Sequence, residues 1–181
     1  MAASVKVLLA VVALLLTGCS ATAAPPTHNA ADVMFLQMLI PQNQQGIDIV
    51  RLAAGRPLPA PLKELAAAIE VTQRTEIEDM KNWLRAWNEP ETMSTDPHAH
   101  AGHGGMRTTA PDVVGALRTV PDGSFTRQFL DVLTGQQQGA VELAQTENGP
   151  GGGINAQARD LARRVIDSRS AEVKELLNTK A

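Results

Sequence analysis

A helical pattern that occurs twice is the strongest constraint on the fold of this chain. Apolar residues recur every three to four positions in four long segments, at about residues 32–54, 60–87, 124–145 and 155–178. Tyrosine is absent and β-branched runs are few, whereas Ala, Leu, Gln and Glu are common, which favours helix over sheet. We therefore expect an all-α fold with four long helices and a short fifth one near residues 111–118.

The first pair of helices matches the second pair position by position. In each pair, aromatic, amide, acidic and small residues recur in the same order. The matches are Phe35 with Phe129, Gln42 with Gln136, Asp48 with Glu142, Leu65 with Leu161, Ile69 with Val165, Glu76 with Glu172 and Met80 with Leu176. Two helical hairpins of one kind pack most simply as a four-helix bundle.

The N-terminus has the pattern of a bacterial lipoprotein signal. Lys6 precedes a run of ten apolar residues, 7–16, which is too short to span a bilayer but has the length of a signal core. The motif LTGC at residues 16–19 resembles a lipobox. We predict a signal peptide over residues 1–18, a lipid on Cys19, a flexible tether over 19–31, and a domain over 32–181 on the extracytoplasmic face of the cell membrane. An ordinary secretory signal with an incidental cysteine is the alternative.

Several function classes fit this sequence poorly. Cys19 is the single cysteine, so disulfides, thiolate metal sites and a cysteine nucleophile are not expected in the folded domain. The net charge of −3 argues against a nucleic-acid partner. The glycine cluster at residues 149–153 follows a helix and lacks the Lys-Ser/Thr of a phosphate-binding loop, so it is interpreted as a hinge. We expect a protein that is not an enzyme.

Two motifs in the first hairpin carry a family resemblance. They read Phe35-x-x-Met38-Leu39-Ile40-Pro41 followed by Gln44-Gln45, and Gln73-x-x-Glu76-Ile77-x-x-Met80-x-x-Trp83-Leu84. The chain resembles the bacterial "domain of unknown function 305" family over nearly all of the expected mature domain, once per hairpin. The resemblance implies a ferritin-like bundle, and exported members are associated with metals, copper especially.

The family's characteristic His-His pair is missing from both hairpins. Gln42 and Asn43 occupy the two positions in the first hairpin, and Gln136 and Gln137 occupy them in the second. Imidazole is a good ligand for transition metals, whereas a carboxamide is a poor one. The resemblance therefore implies that this chain has lost any metal site that the family holds among its helices.

A buried polar network is expected in place of such a metal site. Six polar residues lie on helix faces that point toward the core: Gln42, Gln73, Glu76, Gln136, Arg169 and Glu172. Amides can satisfy one another and a carboxylate, because they carry a donor and an acceptor. We expect an internal Arg169–Glu172 ion pair, with the guanidinium where a cation would have been, and we interpret the network as fixing helix register. Removal of Glu172 should then destabilise the fold.

The long loop between the hairpins, residues 89–110, carries the remaining metal-binding chemistry. It contains three of the four histidines and two of the six methionines: His98, His100, His103, Met93 and Met106. Imidazole with thioether suits Cu(I) or Ag(I), and imidazole alone suits Cu(II) or Zn(II). Glycines in the same segment allow it to wrap an ion. A flexible, solvated loop with incidental histidines is the alternative interpretation.

Two functions remain open from the sequence. The first is a lipid-anchored protein that captures copper or a similar soft ion through the His/Met-rich loop for metal homeostasis. The second is a non-metal interaction module that binds a partner protein, a lipid or an envelope component. Trp83 and Trp87 lie one helical turn apart and are expected to pack in the core, whereas exposure of both would favour the second function. His28, in the tether, is expected to be solvated.

Overall fold

The computed structural model describes residues 27–93 and 109–180, and every regular element in these residues is helical. The elements are α1 (Ala30–Arg51), α2 (Ala60–Ala86), α3 (Pro111–Ala116), a 3-10 turn (Leu117–Thr119), α4 (Asp122–Asn148) and α5 (Ala156–Lys180). The predicted all-α class is confirmed. The signal segment, Cys19, His98, His100, His103 and Met106 lie outside the described residues.

The four long helices form two hairpins that meet through α1 and α4. Helix α1 packs on α2 to form hairpin one, α4 packs on α5 to form hairpin two, and α1 lies against α4 between them. This arrangement is the helical bundle that the repeat predicted. No helix in the described part of the chain is both long and apolar enough to cross a membrane.

Two apolar clusters fill the core, one toward each end of the bundle. The first is built around Phe35, Met80 and Leu161, and the second around Ile49 and Phe129. On each of α2, α4 and α5, buried polar residues lie between the residues that belong to one cluster and those that belong to the other. The fold therefore places polar side chains from neighbouring helices at the middle of the bundle.

The helix ends differ from the predicted ones by two to three residues at several places. Helix α1 begins at Ala30, because Asn29 is the N-cap and accepts hydrogen bonds from the amides of Ala31 and Asp32. Asp32 occupies the third helical position, and its side chain accepts from the Asn29 amide at 2.7 Å. The two residues form a reciprocal capping box. Helix α1 also ends earlier than predicted, at Arg51, and runs through Pro41 as one element.

The glycine cluster at residues 149–153 is a tight, hydrogen-bonded turn rather than the predicted hinge. The Gly152 amide donates to the Gly149 carbonyl at 3.1 Å, and the Gly153 amide donates to the Glu147 carbonyl at 3.0 Å. A side chain at Gly152 would overlap the backbone of Glu147. At Gly152 and Gly153 the chain approaches neighbouring atoms so closely that only glycine fits, and Gly151 has a positive φ of 74°, which also favours glycine.

Candidate functional site

The bundle centre contains a pair of glutamines related by the sequence repeat. The Nε2 atom of Gln42 donates to the main-chain carbonyl of Gln136 at 2.7 Å, and Nε2 of Gln136 donates to the carbonyl of Gln42 at the same distance. Both side chains are buried. Because equivalent residues make identical bonds to each other, the repeat in the sequence corresponds to an approximate two-fold relation between α1 and α4.

Beside this pair, a fully buried arginine holds two carboxylates. Nη2 of Arg169 lies 2.8 Å from Oε2 of Glu76, and Nη1 lies 3.2 Å from Oε1 of Glu172. The same Glu76 oxygen accepts a 2.8 Å hydrogen bond from Nδ2 of Asn43. The expected Arg169–Glu172 contact is present, but Glu76 on the other hairpin is nearer. Asn43 is the network member that sequence reasoning missed, although its position beside Gln42, where the resemblance implied a His-His pair, was a usable signal.

The carboxyl groups of Glu76 and Glu172 share the Arg169 guanidinium, and this arrangement affects the pKa of Glu172. The pKa of Glu172 is raised, first by burial and further by the negative charge of Glu76, while Arg169 acts in the opposite direction. The arginine therefore does not fully offset the burial of Glu172. Glu76, which receives hydrogen bonds from two buried donors, is the better satisfied of the two.

Gln73 is brought to the centre but forms no side-chain hydrogen bond to the described residues. It is completely buried, and a Cβ atom at Gly46 would overlap its amide group. Gln73 matches Arg169 in the repeat, and Gln137, which is also buried without a hydrogen bond from the described residues, matches Asn43. The polar contacts are thus distributed unequally between hairpins that share a sequence pattern.

The donor set at the centre is poorly suited to a soft metal ion. It consists of amide groups and carboxylate oxygens with a guanidinium among them, and a fixed positive charge repels a cation. In residues 27–93 and 109–180, no group of three or more His, Cys, Asp and Glu side chains could hold a metal ion. The chemistry of the centre fits the pairing of helices better than it fits coordination.

The predicted metal-binding loop leaves and rejoins the bundle at two points on α1. Gln37 donates from Nε2 to the carbonyl of Pro90 at 2.6 Å. Eight residues further along α1, Gln45 donates to the carbonyl of Thr109 at 2.7 Å and accepts from its amide at 2.8 Å. The two attachment points are thus about 12 Å apart along the helix axis. Met93, the predicted ligand that is described, is half-buried against the first apolar cluster.

The prediction that His28 is solvated is wrong. Its ring stacks on Trp87 with centroids 4.6 Å apart and planes inclined by 7°, and its Nε2 lies 3.5 Å from Glu89. Trp83 and Trp87 are both half-buried against the first apolar cluster. The expected packing of the tryptophans is found, and the segment before α1 is held to the end of α2.

Fold and site together define a class: a four-helix bundle of two repeated hairpins with a polar centre. The chain belongs to the family described as "Domain of unknown function (DUF305)", whose model matches residues 32–180.

Solved structures agree with this assignment. A DUF305 fragment from Deinococcus radiodurans is 22% identical with a TM-score of 0.70, covering 86% of this chain and 98% of its own. A DUF305 protein from Streptomyces coelicolor is 21% identical with a TM-score of 0.74, covering 82% of this chain and 91% of its own. CopM in the Cu(II)-bound form is 30% identical with a TM-score of 0.64, covering 82% and 95%. No curated protein matches the chain.

Proposed function

We propose that this protein captures copper or a similar soft metal ion outside the cytoplasm, held to the membrane by a lipid on Cys19. The ligands are the histidines and methionines of the loop between the hairpins: His98, His100, His103, Met93 and Met106. The observation that carries the proposal is this concentration of imidazole and thioether groups within fourteen residues, 93–106, in a family member whose bundle centre is filled by amides and a guanidinium.

The comparison with CopM supports metal handling in general terms. Solved structures of CopM include Cu(I)-bound, Cu(II)-bound and Ag-bound forms, at 26–30% identity to this chain. Both Cu(I) and Ag(I) are soft ions that favour thioether and imidazole ligands. Thioether and imidazole groups are concentrated in one segment of this sequence, residues 93–106. The similarity to CopM therefore includes side chains suited to binding such ions as well as the fold.

The attachment of the loop supports the same proposal. Gln37 and Gln45 bind its two ends to α1, so the segment between them begins and ends at fixed positions on the bundle. A segment closed in this way has less conformational freedom to lose on wrapping an ion than a free tail has. The bundle serves as a rigid platform, and we propose no catalytic role for it.

Lipid attachment at Cys19 would hold the bundle at the membrane surface. The acyl chains would keep the loop close to the outer face of the membrane, where it meets ions before they enter the cell. The competing function, a non-metal interaction module, has weaker support because both tryptophans pack against the core and do not form an exposed pair.

Titration of metal-free protein with Cu(I), in competition with a chromophoric chelator, tests the proposal. The variant with His98, His100 and His103 all changed to Ala should bind at least tenfold more weakly. His28→Ala is the matched control, because His28 is the one histidine outside the loop and stacks on Trp87. Its affinity should equal that of the parent.

Equal Cu(I) affinity of the triple variant and the parent would refute the proposed site. A variant with Met93 and Met106 changed to Leu distinguishes the binding of Cu(I) from the binding of Cu(II). The loss of thioether ligands should weaken Cu(I) binding and leave Cu(II) binding nearly unchanged, because Cu(II) prefers imidazole nitrogen.

A further inference from the structure

A second pair of buried carboxyl groups lies at the end of the bundle, away from the polar centre. Asp32 on α1 is fully buried and Glu147 near the end of α4 is 2% exposed. Their oxygens Oδ1 and Oε1 both lie against the α-carbon of Gly153, since a Cβ atom there would overlap both of them. The two acids therefore face each other across the tight turn between α4 and α5.

The two acids differ in their hydrogen-bond partners. Asp32 accepts from three backbone amides, those of Asn29 at 2.7 Å, Ile154 at 3.1 Å and Asn155 at 2.9 Å. Neither carboxylate oxygen of Glu147 accepts a hydrogen bond of normal distance and angle from the described residues, although the Gly153 amide lies nearby. A contact between two carboxyl groups becomes favourable when one of them carries a hydrogen and donates it to the other.

We propose that Glu147 is protonated at neutral pH and donates a hydrogen bond to Asp32, forming a proton-dependent clasp between the start of α1 and the turn at residues 149–153. A proton fits this place better than a metal ion, because the oxygens of Asp32 are already engaged by three amides. When Glu147 loses its proton to solvent, two negative charges face each other in a buried position and the clasp opens.

The electrostatics of the site support this assignment. The pKa of Glu147 is raised to about 8, first by burial and then by the adjacent carboxyl group of Asp32 and the negative charge of Asp32. Arg159 on α5 and the Gly153 amide act in the opposite direction. Asp32 and Arg159 are the charged side chains that influence Glu147 from the neighbouring helices, and the turn itself contributes none.

The clasp joins three parts of the chain that are distant in sequence. Through Asp32 it holds the amides that begin α5. Nearby, Asn155 donates from Nδ2 to the carbonyl of Thr27, and Asn29 donates from Nδ2 to the carbonyl of Gly152. Opening the clasp would therefore loosen the segment before α1 from hairpin two. Mildly alkaline surroundings, which the outside of a cell can present, would release that segment while the rest of the bundle stays folded.

Carbon-13 NMR of the Glu147 carboxyl between pH 4 and 10 tests the proposal directly in the intact chain. The resonance should titrate near pH 8, far above the ordinary range for glutamate. Hydrogen exchange at the Ile154 and Asn155 amides, corrected for intrinsic exchange, should show the opening constant rising up to about tenfold per pH unit between pH 5 and 8. Above that range it should level off.

Glu147→Gln should abolish most of this rise, because a glutamine amide can still donate to Asp32 but cannot ionise. Glu64→Gln, which removes the same charge from an exposed position, is the control and should behave as the parent. A Glu147 carboxyl that titrates below pH 7 would overturn the proposal. So would a pH dependence in Glu147→Gln equal to that of the parent, and the NMR titration decides the matter if the variant does not fold.

Discussion

Removing Glu76 should destabilise the protein much more than removing Glu172, although the two acids occupy equivalent positions in the repeat. Glu76 accepts from both Arg169 and Asn43 at 2.8 Å, whereas Glu172 accepts from Arg169 alone, at 3.2 Å, among the residues that the structure describes. Glu76→Ala therefore leaves a buried amide without its acceptor and weakens the neutralisation of a fully buried guanidinium. Glu172→Ala leaves Arg169 with its nearer partner.

The size of the difference follows from these contacts. Breaking a buried ion pair typically costs about 3–5 kcal/mol, and an orphaned buried donor about 1–3 kcal/mol. Because Arg169 keeps Glu172, we expect Glu76→Ala to lower the free energy of unfolding by about 3–5 kcal/mol in all. For Glu172→Ala we expect about 1 kcal/mol, since a single longer bond is lost and burial already disfavours the charged form of Glu172.

Urea unfolding at pH 7, followed by far-ultraviolet circular dichroism, measures both values. At about 2–4 °C per kcal/mol for a chain of this size, the melting temperature should fall by roughly 6–20 °C for Glu76→Ala and by under about 5 °C for Glu172→Ala. Glu78→Ala, on the exposed face of the same helix, should change stability by less than about 0.5 kcal/mol. Equal losses for Glu76 and Glu172 would refute the argument that Glu76 is the principal partner of the arginine.

Two further predictions concern packing and metal binding. Gly46→Ala should destabilise by about 1–3 kcal/mol, because its methyl group overlaps the buried amide of Gln73. Gly135→Ala, at an exposed helical glycine with open space around it, should instead stabilise by roughly 0.5–1 kcal/mol, and urea unfolding of both variants is the measurement. Saturating Cu(I) should raise the melting temperature by only a few degrees. A metal site built from distant parts of the fold would instead add about 2.7 kcal/mol to the free energy of unfolding when free Cu(I) is at a hundred times its Kd.

The sequence predicts which residues are buried at the centre better than it predicts how they pair. Periodicity alone places Gln42, Gln136 and Arg169 on inward faces, and all three are buried. Of the contacts of Arg169, the one with Glu172 is local, three residues away on the same helix, and could be foreseen from spacing. The contact with Glu76 joins residues 93 positions apart, so it depends on how the two hairpins dock.

The same reasoning applies to two residues near the start of α1, His28 and Asp32. His28 is in a polar, proline-containing segment whose composition predicts solvation, yet it stacks on a tryptophan 59 positions further along the chain. Asp32 fits a helix cap by its local sequence, but its oxygens also accept amides of Ile154 and Asn155 from the other hairpin. In each case a long-range contact, which no local pattern encodes, determines what the side chain does.

The small expected effect of Cu(I) on melting follows from where the proposed ligands lie. The five side chains fall within residues 93–106. Fixing the two ends of the loop on α1 lowers the entropic cost of bringing them together only slightly, so an unfolded chain does this almost as readily as a folded one. Binding that is nearly as strong in the unfolded state adds little to stability. A metal held between the hairpins would instead need Arg169 displaced from the centre, where its guanidinium bridges Glu76 and Glu172. If the proposed ligands hold the ion, folding and metal capture are carried by separate parts of the chain, because Arg169 already pairs the two carboxylates at the bundle centre.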